Sequence, residues 1–329
     1  MRMEPSLSQN DPRVSIVVPA YNEEGNLEEL CRQFKSMGGR VPFGYEVIVV
    51  DDGSADKTLD VLRRLAAEYT FLRVYSHGRN RGLTAALETG FHYARGEIFV
   101  FYPADLQYKP EDIPAMIAKI DEGNDVVTGW KQGEYGKKLV STIYNSLSRR
   151  LFGLNVHDLN SVKAFRREVV ENMFLRRDWH RYMVAMAVEQ GYRVDEVKIP
   201  LYPRYSGKSK FSGFWRIPVG VLDMLAVKSQ MTLLRKPLLF FGFWGSILLL
   251  LGIAVGLVAV YLRFMLDTGF RPLLYLVILL IVLGFLFFIL GFLAEGLAAI
   301  REELAGVRAA VKRLEADQEG KRRKDREDH

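Results

Sequence analysis

The sequence is poor in the features that would place it in several large enzyme classes. Cys31 is its only cysteine, which excludes an internal disulfide and any metal site built from several thiolates. No Gly-x-Gly-x-x-Gly follows the first apolar run and no Gly-x-x-x-x-Gly-Lys-Ser/Thr occurs, so the dinucleotide fingerprint and the P-loop are both missing. A Gly-x-Ser-x-Gly elbow is also lacking, which disfavours serine-hydrolase chemistry. The opening "MRMEPSLSQNDPR" carries no apolar segment; residues 1–12 read as a disordered lead-in. An excess of one charge is lacking too: the net charge is only +6. The basic tail "KRRKDREDH" is interleaved with acids, so it reads as a solvated end, and no nucleic-acid partner is expected.

Charge is missing altogether from two long stretches, Leu238 to Leu262 and Leu273 to Leu293. As helices at about 1.5 Å per residue they reach roughly 37 and 31 Å, enough to cross a bilayer. Neither carries the polar stripe of a soluble core helix. The short link "RFMLDTGFRP" makes them antiparallel and is weakly basic, with Arg263, Asp267 and Arg271. The outer flanks hold Lys228, Arg235 and Lys236, then Arg301, Arg308, Lys312 and Arg313. This bias predicts a two-span protein of the cell membrane with both termini and the large polar domain in the cytoplasm. Between the two parts, "FWRIPVGVLDMLAVKSQMTLL" reads as interfacial amphipathic helix over 213–236. Beyond the second span, Ile300, Leu304, Val307, Val311 and Leu314 recur at spacings of four and three. They predict a helical tail over 295–329 whose seam, like the spans, could serve a homo-oligomer.

The first 212 residues alternate short β-branched runs with helical patterns. "RVSIVVPAY", "YEVIVVDDGS", "LRVYSHGRN", "EIFVFYPADLQ" and "DVVTGW" are separated by segments such as "EGNLEELCRQFKSMGG" and "DKTLDVLRRLAAEY". This predicts an α/β fold with a mostly parallel sheet buried on both faces. Ligands in such sheets bind beyond the carboxyl ends of the strands. Polar residues cluster there: Tyr21, Asn22 and Glu23 after the first strand, Asp51 to Ser54 after the second, His77, Arg79 and Asn80 after the third, Asp105 and Gln107 after the fourth. Ser54 or Asp56 is expected to cap the helix that follows.

These segments resemble family-2 glycosyltransferases of the GT-A fold, a Rossmann-like sheet with flanking helices. With "HDLNSVKAFRREVV", "HRYM", "YPRYSGKSKF" and two spans, the chain from about Arg13 to Leu293 is similar to the polyprenyl-phosphate glycosyltransferases of the dolichol-phosphate mannose synthase type. The resemblance implies an inverting hexosyltransferase over 13–212, with a membrane anchor over 237–294. Its donor would be a nucleotide diphosphate sugar, UDP-glucose or GDP-mannose, and its acceptor undecaprenyl or dolichyl phosphate in the lipid bilayer. It further implies that Pro19, Tyr21, Glu23, Asp51 and Asp52 bind the nucleotide. Asp105 and Gln107 would hold Mg²⁺ or Mn²⁺, and Arg204, Lys208, Ser209, Lys210 and Arg181 would meet the donor and acceptor phosphates. Asp105, Arg204, Lys210 and Asp158 are the catalytic candidates.

Elementary chemistry agrees with this assignment. A hard divalent ion prefers carboxylate and amide oxygens, and in an extended loop residues i and i+2 point to one side, so Asp105 and Gln107 are expected to share one ion. A phosphate acceptor is already ionised and needs no strong general base, but bringing two anions together needs positive charge. His157, Asp158, Asn160 and Lys163 are expected in a loop entering a "KAFRREVV" helix, His180 and Arg181 at the start of the "HRYMVAMAVEQG" helix, and "KQGEYGKK" (131–138) as a mobile loop. Where the family often carries an arginine, Trp130 and Lys131 stand. The family's metal loop usually reads Asp-x-Asp-x-Gln; here Pro103 takes the first acid position, which predicts weak metal affinity without donor. Two rivals remain at this point. A processive polysaccharide synthase needs a Gln-x-x-Arg-Trp signature, which "LRRDW" does not supply, and more spans. A tethered nucleotide-sugar-binding scaffold would bind the donor without transfer.

Overall fold

The computed structural model describes residues 12–133, 138–173, 175, 179–203, 205, 222, 224–229, 237–265 and 271–327. The lead-in up to Asp11, the four basic-loop residues Arg204, Lys208, Ser209 and Lys210, and most of 213–236 therefore lie outside the described residues. The chain divides into two compact units, Met1–Val219 and Gly220–His329.

The first unit is built on a seven-stranded sheet in the order β3-β2-β1-β4-β6-β5-β7. Strands β1 (Val14–Ala20), β2 (Tyr45–Asp51), β3 (Leu72–Ser76) and β4 (Ile98–Phe101) run parallel. Helices α1 (Leu27–Gly38), α2 (Thr58–Glu68) and α3 (Leu83–Tyr93) cross between them. The β1 and β2 side chains are buried almost without a break because helices cover both faces of the sheet. Helix α1 buries Leu27, Leu30, Cys31, Phe34 and Met37, the 3.6-residue stripe read in the sequence.

A proline inside a central strand is unusual, and Pro19 has a local reason. The Val17 carbonyl accepts the Tyr102 N–H on the β4 side, and the Ala20 carbonyl accepts Asp52 N–H on the β2 side. By alternation, Pro19 faces the β4 side, one pair beyond the last β1–β4 partners, Val17 and Phe101. Its missing N–H therefore leaves no ladder bond unmade.

After α4 (Ile113–Asp121) come β5 (Val126–Gln132), α5 (Lys138–Phe152), β6 (Lys163–Arg166), α6 (Arg167–Glu171), α7 (Met183–Glu189) and β7 (Val194–Pro200). Strand β6 is antiparallel to both β4 and β5, while β5 and β7 pair in parallel. The sheet is thus mostly parallel with one reversed strand. This corrects the expectation of a loop and long helix at "KAFRREVV". Lys163–Arg166 is strand, and only Arg167–Glu171 is helix. Pairing on both edges and burial of Lys163, Ala164 and Phe165 override the local helical pattern. The reversal sets the N-terminal end of β6 beside the end of β4, with Lys163 opposite Phe101 and opposite Thr128 of β5, which continues to Gln132.

At the opposite edge of the sheet, Glu46 ties the strand starts together. Its carboxylate accepts Ser15 Oγ (2.7 Å), Arg73 Nη1 (2.7 Å) and the Arg95 N–H (2.7 Å). Burial alone would raise its pKa; these hydrogen bonds outweigh it and hold it below its ordinary value.

In the second unit, α8 (Pro237–Met265) and α9 (Arg271–Glu327) contain the two candidate membrane spans, Pro237–Met265 and Arg271–Ile300. Only 11% of either span is buried, which is not how a soluble core helix sits. The helices pack antiparallel through glycines: a Cβ at Gly245 would lie 2.9 Å from the Gly284 carbonyl oxygen, so the backbones nearly touch. Glu295 accepts the Leu238 N–H (3.1 Å), capping the start of α8 from its partner helix. The expected helix beyond the second span is present, continuous with it to Glu327. Within 213–236, the described residues Leu222 and 224–229 are helical, with Met224 and Val227 buried and Leu222 and Leu225 exposed.

Candidate active site

The loops after β1 and β2 are stitched to each other. Asn22, at φ 53°, donates its N–H to Ser54 Oγ (2.9 Å), and its Oδ1 accepts the Ala55 N–H (2.8 Å). Glu23 N–H donates to Thr58 Oγ1 (2.9 Å), and Lys57 N–H to Glu24 Oε2 (2.9 Å). Of the two cap candidates, Asp56 accepts the Thr58 N–H (3.0 Å) while Ser54 serves Asn22. The left-handed backbone of Asn22 is held by its two bonds to the loop after β2, and asparagine is one of the few non-glycine residues that visits that region routinely. Pro19, Tyr21 and Glu23 are half-buried on this rim.

Asp51 and Asp52 are buried, and the protein engages both. Asp51 Oδ1 accepts Ser54 N–H (3.1 Å) and Oδ2 accepts Ser76 Oγ (2.9 Å). Asp52 Oδ1 lies 2.7 Å from His77 Nδ1 and accepts Arg81 N–H (2.9 Å), and Oδ2 accepts Gly82 N–H (2.8 Å). His77 Nε2 in turn meets Thr89 Oγ1 (2.9 Å). Asp52, expected beside the nucleotide, is committed to holding the 77–82 loop. Between them Gly53, at φ 68°, has no room for a side chain, since a Cβ would lie 2.4 Å from the Arg79 carbonyl carbon. The Asp-Asp-Gly run is thus a clamp that docks the loop after β3 onto the end of β2.

The β4 rim differs from the extended loop the spacing suggested. After Pro103 the chain turns: Leu106 is at φ 56°, and Asp105 Oδ1 accepts the Gln107 N–H (3.3 Å). The left-handed Leu106 is held by burial of its side chain, 6% exposed, and by the buried Tyr102, whose hydroxyl donates to the Tyr108 carbonyl. Asp105 and Gln107 are therefore joined by a turn, and simple i, i+2 alternation does not govern where they point. Their oxygens still make the donor set that a hard ion takes. Among the described residues no group of three His, Cys, Asp or Glu side chains could hold a metal. With two side-chain oxygen donors the set is thin, and would fit a hard ion such as Mg²⁺ or Mn²⁺ with further oxygen ligands from outside the chain. Gln107 also anchors the segment that leads to the basic loop: its carbonyl accepts Tyr202 N–H (2.9 Å), and Nε2 donates to the Tyr202 carbonyl (3.4 Å).

The third part of the rim joins the ends of β5 and β6. Lys131 Nζ lies 3.3 Å from Asp158 Oδ2, and Asp158 Oδ1 accepts the Asn160 N–H (2.8 Å). Asp158 thus caps a turn and not a helix. Lys131 and Gln132 are strand and Lys138 opens α5, so the ends of the loop expected over 131–138 belong to regular elements, and 134–137 lie outside the described residues. Lys163 is fully buried; its Nζ donates to the Ser161 carbonyl (2.9 Å) and stands 5.2 Å from the Phe101 ring centroid. Burial pushes its pKa down to about 7, with Asp158 raising it and Lys131 lowering it further. His180 is driven down to about 3 by burial, then by Arg181 and Lys163, so the ring is neutral; Nδ1 lies 3.2 Å from Thr84 Oγ1. The α-helix expected to open at His180 begins at Met183, after a 3-10 turn, Trp179–Tyr182, that holds Arg181. Beside this cluster, His157 stacks on Trp130 at 3.9 Å and its Nδ1 lies 2.5 Å from Glu196 Oε1.

Three comparisons with known proteins bear on this geometry. The description "Glycosyl transferase family 2" matches residues 15–174. The chain is 33% identical over 298 residues to the dodecaprenyl-phosphate galacturonate synthase of Rhizobium johnstonii, covering 85% of this chain and 87% of that protein. It is 32% identical over 256 residues to the undecaprenyl-phosphate 4-deoxy-4-formamido-L-arabinose transferase of Klebsiella pneumoniae, covering 76% of each. In fold it is similar to the glucosyl-3-phosphoglycerate synthase of Mycobacterium tuberculosis, solved with Mn²⁺ and UDP. The TM-score is 0.53 at 19% identity, over 70% of this chain and 86% of that one.

Proposed function

The chain belongs to glycosyl transferase family 2, and on that premise we propose that it moves one sugar from a nucleotide diphosphate sugar to a polyprenyl phosphate at a membrane. The observation that carries this reading is the order of groups along one rim. The stitched β1 and β2 loops come first, then the Asp105 turn of β4, in a chain that also has two candidate spans. The two relatives named above act on polyprenyl phosphates, as their names state.

In this reading the nucleotide lies against Pro19, Tyr21, Glu23 and the Asp51 end of β2. Asp105 and Gln107 would hold the divalent ion, which when bound offsets the charge growing on the diphosphate as it departs. An ionised oxygen of the acceptor phosphate attacks the anomeric carbon from the face opposite the diphosphate. The new C–O bond forms as the old one breaks, its electron pair leaves with the nucleotide diphosphate, and the configuration inverts. No proton has to be removed, so Asp158 serves by orienting Lys131 and not as a general base. Arg204, Lys208, Ser209, Lys210 and Arg181 are the proposed phosphate contacts. The catalytic unit and both termini are assigned to the cytoplasmic side by the Lys and Arg bias of the flanks.

The test is transfer itself. Full-length chain purified in detergent, given undecaprenyl phosphate and labelled donors that include UDP-glucose and GDP-mannose, should form lipid-linked sugar and stop on addition of EDTA. Donor binding with no lipid-linked sugar from any donor would instead support the scaffold reading.

A further inference from the structure

Two faces of α9 have different neighbours. Val277, Ile281, Gly284, Phe288 and Gly291 pack against α8. Another face repeats every seven residues. Leu276, Leu279, Leu283, Leu286, Leu290 and Leu293 take the a and d positions of three heptads inside the span. Leu297, Ile300, Leu304, Val307, Val311 and Leu314 continue them for three more, with no insertion between. All ten from Leu276 to Val307 are exposed, so α8 leaves this seam uncovered. We propose that the seam is an interface with further copies of this chain, which associate in parallel along α9.

Inside a bilayer lipid tails cover leucine as well as another helix would, so the span alone does not call for a partner. The tail does. The span ends at Ile300, and α9 runs on as one helix to Glu327, about 40 Å further. Along that stretch Leu304 is 53% exposed and Val307 55%. Water is the alternative to a partner there, and apolar surface is driven out of it. No proline follows Pro272, and α9 has no break that would lay the stripe back on the bilayer.

Copies that share one membrane share one topology, so a second α9 lies parallel to the first. The charges flanking the seam agree. With Leu297 at a, the g positions carry Glu303, Ala310 and Asp317, and the e positions Arg301, Arg308, Glu315 and Arg322. In parallel strands each g residue faces the e residue of the next heptad in its neighbour. Glu303 then meets Arg308 of the second copy, and Asp317 meets Arg322 of the second copy. Antiparallel strands would set g against g and e against e, acid facing acid and arginine mostly facing arginine. In the first two tail heptads Leu at a stands with Ile300 or Val307 at d, a core that favours three or four strands over two.

The experiment uses the full chain. Light scattering in a mild detergent should give a protein mass of at least two chains. Leu304→Glu with Val307→Glu, at two exposed positions, should return the mass to one chain. Ala309→Glu, off the seam at f, should leave it unchanged, with circular dichroism confirming that both variants stay helical. In membranes treated with copper phenanthroline as oxidant, Val307→Cys should cross-link between copies at least about fivefold faster than Ala309→Cys. Cys31, the sole native cysteine, is buried and does not compete. Glu303→Arg should weaken association about fivefold, and adding Arg308→Glu should restore it, as parallel pairing requires. Single-chain mass together with equal cross-linking at 307 and 309 overturns the proposal. So does an oligomer that survives the double glutamate variant. Single-chain mass in detergent with cross-linking selective for 307 in membranes supports it.

Discussion

Around Asp51 and Asp52 every carboxylate oxygen has a neighbouring hydrogen-bond group of the protein, whereas near Asp158 the buried Lys163 has, among the described residues, only the Ser161 carbonyl as acceptor. Both places are on the same rim of the same sheet, and both are buried. The first is satisfied from within and is therefore a scaffold that presents its neighbours. The second leaves a buried lysine short of acceptors, and its burial pushes the Lys163 pKa down to about 7. Burial of acids at a strand end is thus no guide to function until their partners are counted.

The largest effect is expected between these two places, at the Asp105 turn. Asp105→Ala should reduce transfer about 10³-fold while leaving nucleotide binding by the β1 and β2 loops measurable. Isothermal titration with the nucleotide separates the two, and full activity in the variant removes Asp105 from the mechanism. The same titration with Mn²⁺ should give weak binding to the donor-free chain and tight binding once nucleotide diphosphate is present. Tight binding without donor would show that the thin donor set has been underestimated.

Next comes the satisfied half. Asp52→Ala strands the Arg81 and Gly82 N–H groups and the His77 ring, and should cost about 3 kcal/mol in denaturant unfolding. A cost below about 1 kcal/mol would break the contrast, because Asp52 would then not be a scaffold residue.

The Lys163 half should reveal itself through pH. In the folded chain Lys163 releases its proton near pH 7, and in the unfolded chain near its ordinary 10.5. Between those values the unfolded state holds the extra proton, so stability should rise with pH, by up to about 1.4 kcal/mol per unit. Urea unfolding from pH 7 to 9.5 measures the slope, and Lys163→Met should flatten it. An unchanged slope in the variant assigns the effect to another group.

The smallest effect tests redundancy in the satisfied half. Ser76→Ala removes one of the two bonds to Asp51 and should cost about 1 kcal/mol, with the donor KM within about threefold of the parent. A larger rise in KM would mean that Asp51 needs both bonds to present itself.

Much of the β1–β2 half of the rim was legible because it is local. "VPAYNEE" and "VVDDGS" carry strand, turn and cap within a few residues, and the apolar spans declare themselves by length alone. The mostly parallel α/β sheet followed from the alternation of runs and the GT-A fold from the resemblance of the motifs, and the likeness to a solved transferase bears out the fold. The β6 strand did not, because four residues of mixed character become strand only when Phe99 and Val126 stand on either side of Phe165. The turn at Leu106 was equally hidden, since its left-handed backbone is set by where that side chain is buried. Lys163 gave one signal that could have been used: a lysine inside "SVKAF" is flanked by residues that belong in a core.

The sequence by itself determined the class of this protein: a family-2 transferase domain ahead of two apolar helices. The apolar helices depend on composition, and the family on a resemblance carried by short motifs. Only the tertiary structure decided which polar groups are buried and how each is partnered. It sets Lys131 of β5 against Asp158 and buries Lys163 of β6, whose pKa burial pushes down to about 7.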